Sequence, residues 1–152
     1  MRRATERDWA RLFYWRNDEA TRAASVTTEP VTLKGHMEWL RRTLASDSTR
    51  LYIHEDSARS WVVGTGRLDL RKVKGKVTAV EVSLTLDPQR RADGYAGAII
   101  QSLLDSSQVW QPHVPVAAFV RLLPVPNYAS LRAFASAGFS PVAYEGDFVE
   151  LR

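Results

Sequence analysis

The chain contains no cysteine in its 152 residues. Disulfides, thiolate zinc sites and a cysteine nucleophile are excluded at once, and a reducing, cytoplasmic setting is the expectation that follows. Nor is there any run approaching the roughly 20 apolar residues of a membrane span. The N-terminal Met1-Arg2-Arg3-Ala4-Thr5-Glu6-Arg7-Asp8-Trp9 carries charge with no apolar stretch behind it, unlike a secretory leader. The three histidines, His36, His54 and His113, are too dispersed to form a metal-ligand spacing, so no metal is expected. Repeats, low-complexity tracts and linkers are missing as well. There is no G-x-x-x-x-G-K-S/T and hence no P-loop. Gly64-Thr65-Gly66 lies mid-strand, without the third glycine or the following helix of a dinucleotide fingerprint.

What remains is an ordinary globular composition, 45% hydrophobic and 25% charged, long enough for one domain over residues 1–152. The net charge of +4 suits an anionic small ligand or nucleic acid. Its one dense cluster, Arg67, Arg71, Lys72, Lys74 and Lys76, surrounds a turn-like Val73-Lys74-Gly75-Lys76 and reads as a solvated hairpin tip. A nucleic-acid footprint would be denser and interleaved with exposed aromatics. Neither a nucleic-acid nor a membrane partner is expected.

The elements follow from periodicity. Met1–Ala4 is a short first strand, and Thr5 caps a helix over about 6–15 with Trp9, Leu12 and Phe13 at helical spacing. A second helix opens at Val31–Gly35 and carries His36, Met37, Trp39, Leu40 and Leu44. Strands are expected over 51–55, 61–70 and 77–86, the last two joined as a hairpin. A helix then presents Ala96, Ile99, Ile100, Leu103 and Leu104 on one face. A strand over 116–121, a helix over 127–137 ended by Gly138, and strands over 139–144 and 148–151 complete the chain. The class is mixed α/β.

The segment from Val82 to Ala96 concentrates the chemistry. A strand runs into a glycine-containing loop, and the loop runs straight into a helix. The free N–H groups and dipole of a helix start favour an anion, Gly94 lets the backbone approach a phosphate, and Arg91 adds a cation. The same physics describes any strand-to-helix turn, so both readings stand on these residues alone.

Arg91-Ala92-Asp93-Gly94-Tyr95-Ala96 resembles the Q/R-x-x-G-x-G/A pyrophosphate loop of the GNAT acetyltransferases. Asn127, Ser130 and Gly138-Phe139 are similar to that family's N-x-x-S…G-F closing pattern. Trp15-Arg16-Asn17-Asp18, Arg22, Ser25, His36 and Trp39-Leu40 resemble the W-R-N-D…R…S…H-x-x-W-L series of a branch that includes nucleotide-amino-sugar N-acetyltransferases. The resemblance runs across nearly the whole chain. It implies the GNAT fold: a mostly antiparallel mixed sheet of about six or seven strands, flanked by about four helices. It implies acetyl-CoA as cofactor and direct attack by a small-molecule primary amine, with the amino group of a nucleotide-linked sugar as first acceptor. A protein N-terminus or a polyamine is the runner-up, and a non-catalytic acyl-CoA-binding module is the alternative of another class. A closing hairpin of this kind leaves a homodimer open.

By the same resemblance, Leu84, Thr85 and Leu86 pair with the pantetheine arm through their backbone. The amides of Arg91, Ala92, Asp93, Gly94, Tyr95 and Ala96 hold the pyrophosphate, and Asn127, Ser130 and Phe134 lie along the cofactor. Two positions depart from the pattern. Ala92 stands where the family often has glycine, which requires a negative φ if the alanine is to be unstrained. Phe134 stands where many relatives place a tyrosine that protonates the departing thiolate, and a phenyl ring cannot do so. Strand alternation puts Ala79, Glu81, Ser83 and Thr85 on one face. Glu81, with Ser83 beside it, is therefore a candidate general base, unless Glu81 simply pairs with Arg67. His36 is a second catalytic candidate or a structural histidine. Arg16 and Asn17 reach a substrate phosphate or hydroxyl, or merely close their helix.

Overall fold

A computed structural model describes residues 1–152. Its backbone follows β1 (Arg2–Arg3), α1 (Trp9–Asn17), α2 (Glu19–Ala23), α3 (Leu33–Ala45), β2 (Thr49–Asp56), β3 (Trp61–Val73), β4 (Lys76–Leu86), α4 (Tyr95–Trp110), β5 (Val116–Arg121), α5 (Tyr128–Ser136), β6 (Pro141–Glu145) and β7 (Phe148–Leu151). One seven-stranded sheet runs in the order β1-β2-β3-β4-β5-β7-β6. Every neighbouring pair is antiparallel except β4 and β5. This is the expected mixed sheet. It is flanked by five helices where about four were anticipated, and the extra one is α2. That helix is too short for an apolar stripe to show in the sequence. It forms because the Asp18 carboxylate accepts the Thr21 N–H at 3.0 Å, a side-chain N-cap.

The β3–β4 hairpin turns at Lys74-Gly75, both at positive φ (50° and 79°), a two-residue turn whose twist matches the strands it joins. Register then sets the two faces. Val80 and Val82 of β4 pack with Leu68 of β3, and with Ile99, Ile100 and Leu103 of α4, in the larger core. Fully burying a leucine such as Leu103 contributes about 1.5–3 kcal/mol. The opposite face is covered only at its β1–β2 end, where Leu12, Trp15 and Leu40 of α1 and α3 close over Leu51 and Ile53. The rest of that face carries Thr65, Arg67, Asp69 and Arg71 on β3, Ala79, Glu81 and Ser83 on β4, and Ala117, Phe119 and Arg121 on β5. No helix is long and apolar enough to cross a membrane.

The two glycines of β3 explain how close α4 lies. A Cβ on Gly66 would come within 2.7 Å of the Leu103 side chain, and one on Gly64 within 2.6 Å of the Thr85 carbonyl oxygen. The first contact is a side-chain end that can shift, whereas the second is backbone. Gly64→Ala should therefore destabilise the fold by about 1–3 kcal/mol, read as a lower midpoint in thermal or denaturant unfolding.

Candidate functional site

β4 and β5 pair in parallel at only two positions, Val80↔Val116 and Glu81↔Ala117. Beyond them the strands part into a fork. The Val80 N–H donates to the Pro115 carbonyl at 2.8 Å, so the even-numbered backbone groups of β4 point towards β5. The odd-numbered ones serve the β3 ladder, with Thr65↔Thr85 among its pairs. Past the fork, the backbone groups of Leu84 and Leu86 therefore face an opening with no ladder partner. They offer one N–H and one C=O each to whatever lies between the strands. Thr85 differs from its neighbours here: its backbone is spent on β3.

At the far end of β4, Asp87 caps a short turn through the Gln89 N–H at 2.9 Å. The loop then rises to α4. Gly94 is the N-cap of α4 with φ of 85°, no side chain caps the helix, and its first turn holds no acidic residue. A Cβ on Gly94 would meet nothing within 4 Å. The first-turn amides are thus uncapped and open, which suits a phosphate-bearing ligand. Ala92 lies at φ of 68°. The expectation of a negative φ is corrected: the loop keeps the left-handed geometry of a glycine, and the alanine absorbs the strain. Tyr95 fixes the helix start by donating its hydroxyl to Asp56 at 2.7 Å. That bond and Arg59 hold the Asp56 carboxylate down to about 2.

The polar face meets the fork at Glu81. Its carboxylate accepts from Arg71 at 3.1 Å, not from Arg67; Arg67 pairs with Asp69 and stands opposite Ser83. Burial pushes the Glu81 carboxyl above the ordinary carboxylate value, against the pull of Arg71 and Arg67, and Asp69 adds to the rise. Val120 and Ala118 of β5 point into the larger core, so Phe119 and Arg121 share the Glu81 face. Arg71 lies 4.6 Å over the Phe119 ring.

Other candidates have different work. His36 is 2% exposed, sits between the Phe13 and Trp39 rings and is 3.0 Å through Nε2 from the Trp9 carbonyl. Burial lowers its pKa. These contacts make it a packing residue between α1 and α3, with no surface left for a substrate. Asn17 clamps the backbone of Val31 in both directions, at 3.1 and 2.8 Å. Arg16 donates to the Thr27 carbonyl at 2.8 Å. The two side chains tie down the segment after α2, and the buried Nη1 of Arg16 has no hydrogen-bond partner in the protein. Asn127 caps α5 through the Ser130 N–H at 3.1 Å. Phe134 is 3% exposed and edge-on to Phe139, within the larger core. No group of three or more His, Asp or Glu side chains forms a metal-binding cluster.

Two residues have no role in the sequence reading: Arg121, which it does not single out, and Asp18, which enters only as part of the Trp15-Arg16-Asn17-Asp18 series. Arg121 is 7% exposed and donates to the carbonyls of Ser25 (2.6 Å) and Leu123 (2.8 Å), with Asp147 at 3.5 Å and its Nε unpartnered. Asp18 joins α2 to the loop through Arg91. An arginine at a strand end and an aspartate at a cap are commonplace locally, and only the long-range contacts single them out.

A family model described as acetyltransferase (GNAT) domain matches residues 1–140. No curated protein matches the chain closely enough to count as a relative. Among solved structures, the chain is similar to a ribosomal-protein-alanine N-acetyltransferase from Brucella melitensis, with 21% identity, TM-score 0.79, and 99% of this chain and 96% of that one covered. It is also similar to spermidine N-acetyltransferase from Vibrio cholerae in complex with CoA and spermine, with 15% identity, TM-score 0.82, and 99% and 91% covered. An aminoglycoside acetyltransferase in complex with coenzyme A gives 17% identity, TM-score 0.77, and 99% and 92% covered.

The strain at Ala92 is open to measurement. An L-residue in the left-handed region costs roughly 1–2 kcal/mol, while glycine adds back about 0.5–1 kcal/mol of chain entropy. Ala92→Gly should therefore raise the melting temperature by about 1–4 °C. A lower melting temperature would show that the alanine is unstrained there.

Proposed function

The chain belongs to the GNAT acetyltransferase family, and on that premise we propose that it is an acetyl-CoA-dependent N-acetyltransferase acting on an anionic small-molecule amine, a nucleotide-linked amino sugar foremost. The observation that carries the reading is the joint geometry of fork and loop. Unladdered backbone at Leu84 and Leu86 leads to the uncapped, acid-free start of α4. An extended thiol arm ending in a diphosphate needs hydrogen-bonding groups of both kinds, in that order.

Acetyl-CoA supplies an activated acetyl thioester. The protein's part is positioning and charge. The Leu84 N–H, aimed into the fork, is the donor for the thioester carbonyl, and a fixed donor of this kind lowers the barrier without reorganisation. Glu81, where the strands part, receives the proton that an ammonium acceptor must lose before its nitrogen can attack. A carboxyl raised by burial is better matched to that task than an ordinary one. The C–N bond forms, the C–S bond breaks, the sulfur leaves with the electron pair as a thiolate, and the second proton shed by the acylated nitrogen passes to solvent. A thiolate is a stable enough leaving group near neutral pH that Phe134 in place of an acid is no obstacle. Ser83, next along the face from Glu81, is a further polar contact for the acceptor.

The acceptor class rests on charge. Asp69 and Glu81, the carboxylates of β3 and β4 on this face, are each paired with an arginine. A polyamine's several ammonium groups would find those carboxylates taken, whereas a phosphate-bearing amine meets Arg67 and Arg71. A thiol-release screen comparing nucleotide-linked amino sugars, spermidine and a peptide with a free N-terminal alanine decides the matter. Turnover of spermidine with none of the nucleotide-linked sugars would overturn this acceptor class.

Two variants test the machinery. Gly94→Trp fills the open space at the helix start and should abolish acetyl-CoA binding in calorimetric titration. Glu81→Gln should cost about 10²–10⁴ in turnover with cofactor affinity unchanged. Because the raised pKa disfavours the charged form, the wild-type rate should fall with acid already above about pH 4.3, the usual glutamate value. That limb should vanish in Glu81→Gln. A persisting limb moves the base elsewhere.

A further inference from the structure

We propose that Asp18 is a positioning residue: it holds the Arg91 guanidinium at the mouth of the cofactor loop and so makes the acceptor-side segment 18–32 and that loop one mechanical unit. This rests on the reading of residues 91–96 as the cradle of the cofactor's diphosphate.

Arg91 reaches back across 73 positions of sequence, and its Nη2 donates to both the Asp18 carboxylate and the Thr21 hydroxyl, the latter at 2.9 Å. Its Nε and Nη1 make no hydrogen bond to the protein. A guanidinium is a planar fork, so anchoring one corner fixes where the others point. Asp18 is itself fixed, because the same oxygen caps α2 through the Thr21 N–H at 3.0 Å. Burial works against its charge, yet Arg91 and Thr21 hold its pKa below the ordinary value.

The segment behind Asp18 is tied down with equal thoroughness. The carbonyls of Thr27, Thr28 and Val31 accept from Arg16, Arg22 and Asn17 at 2.8, 2.9 and 3.1 Å. The Ser25 carbonyl accepts from buried Arg121 at the end of β5. The start of the segment is therefore latched to the loop that follows β4, and its middle, at Ser25, to the end of β5. It bridges the two arms of the fork on the face that carries Glu81. The Trp15-Arg16-Asn17-Asp18 series acquires a role from this: it builds the roof over the fork and couples it to the cofactor.

Asp18→Asn is the discriminating variant, because asparagine still caps α2 while the ion pair is lost. Charge alone predicts that removing a carboxylate near a polyanionic cofactor tightens binding. Positioning predicts the opposite sign. Titrated calorimetrically, Asp18→Asn should bind acetyl-CoA about five- to ten-fold more weakly than wild type, and should add nothing in an Arg91→Gln background. Hydrogen exchange gives a readout that a purely structural role would not move. Acetyl-CoA should slow amide exchange over residues 18–32 in the wild type, and markedly less in Asp18→Asn. The melting temperature of each unliganded variant controls for folding. Unchanged or tighter binding by Asp18→Asn, or cofactor protection of 18–32 that survives the substitution, overturns the proposal and leaves the loop reading intact. A wild-type protein that does not bind acetyl-CoA overturns both.

Discussion

The parting of β4 from β5 is the constraint on which the site depends. Two parallel pairs hold the strands together, and after Glu81↔Ala117 neither strand satisfies the other's backbone. Unpaired main-chain groups inside a sheet are costly when dry, so such an opening is stable only if solvent or a ligand fills it. The surrounding elements keep it open. β4 is secured along its whole length by β3. The later residues of β5, Ala118–Arg121, give their other edge to β7. Neither strand is free to swing across and close the gap.

Charge is distributed around this opening in two ways. On the floor, arginines meet carboxylates: Arg67 with Asp69, Arg71 with Glu81. In the roof, the guanidinium groups of Arg16, Arg22 and Arg121 meet main-chain carbonyls. Neutral partners leave the charges of Arg16 and Arg22 uncompensated, whereas Arg121 also has Asp147 at 3.5 Å, and its burial with an unpartnered Nε is expensive. Cation density suited to an anionic cofactor is thus built into the same residues that hold this segment in place.

Much of the scaffold was legible because its signals are local. The Ile99, Ile100 and Leu103 stripe marked α4, Asn127 and Gly138 bracketed α5, and β5 and β7 were bounded as they stand. The loop before α4 was also legible, since strand, glycine and helix follow one another directly. What stayed hidden depends on distance along the chain. Arg16 and Asn17 carry donors suited to a phosphate, and no local pattern shows that carbonyls eleven and fourteen residues away claim them first. His36 has a catalytic side chain, and only the α1–α3 contact shows it enclosed by rings. Ala92 is the sharpest case. Local preference forbids its φ, and the need for the chain to turn into α4 overrides that preference.

The alternation along β4 sets a limit on how this protein can diverge. Odd positions send side chains to the polar face while even positions send backbone into the fork, so the Glu81 carboxylate and the Leu84 N–H are interleaved on one strand. A single inserted or deleted residue between Glu81 and Leu84 would exchange the two sets and erase both at once. Length change is safe only where the ladder already tolerates irregularity, at the bulge between Arg71 and Lys72 and at the hairpin tip beyond it. Relatives with altered acceptors should therefore differ in the length of that hairpin and of the roof, while the stretch from Glu81 to Leu86 keeps its residue count.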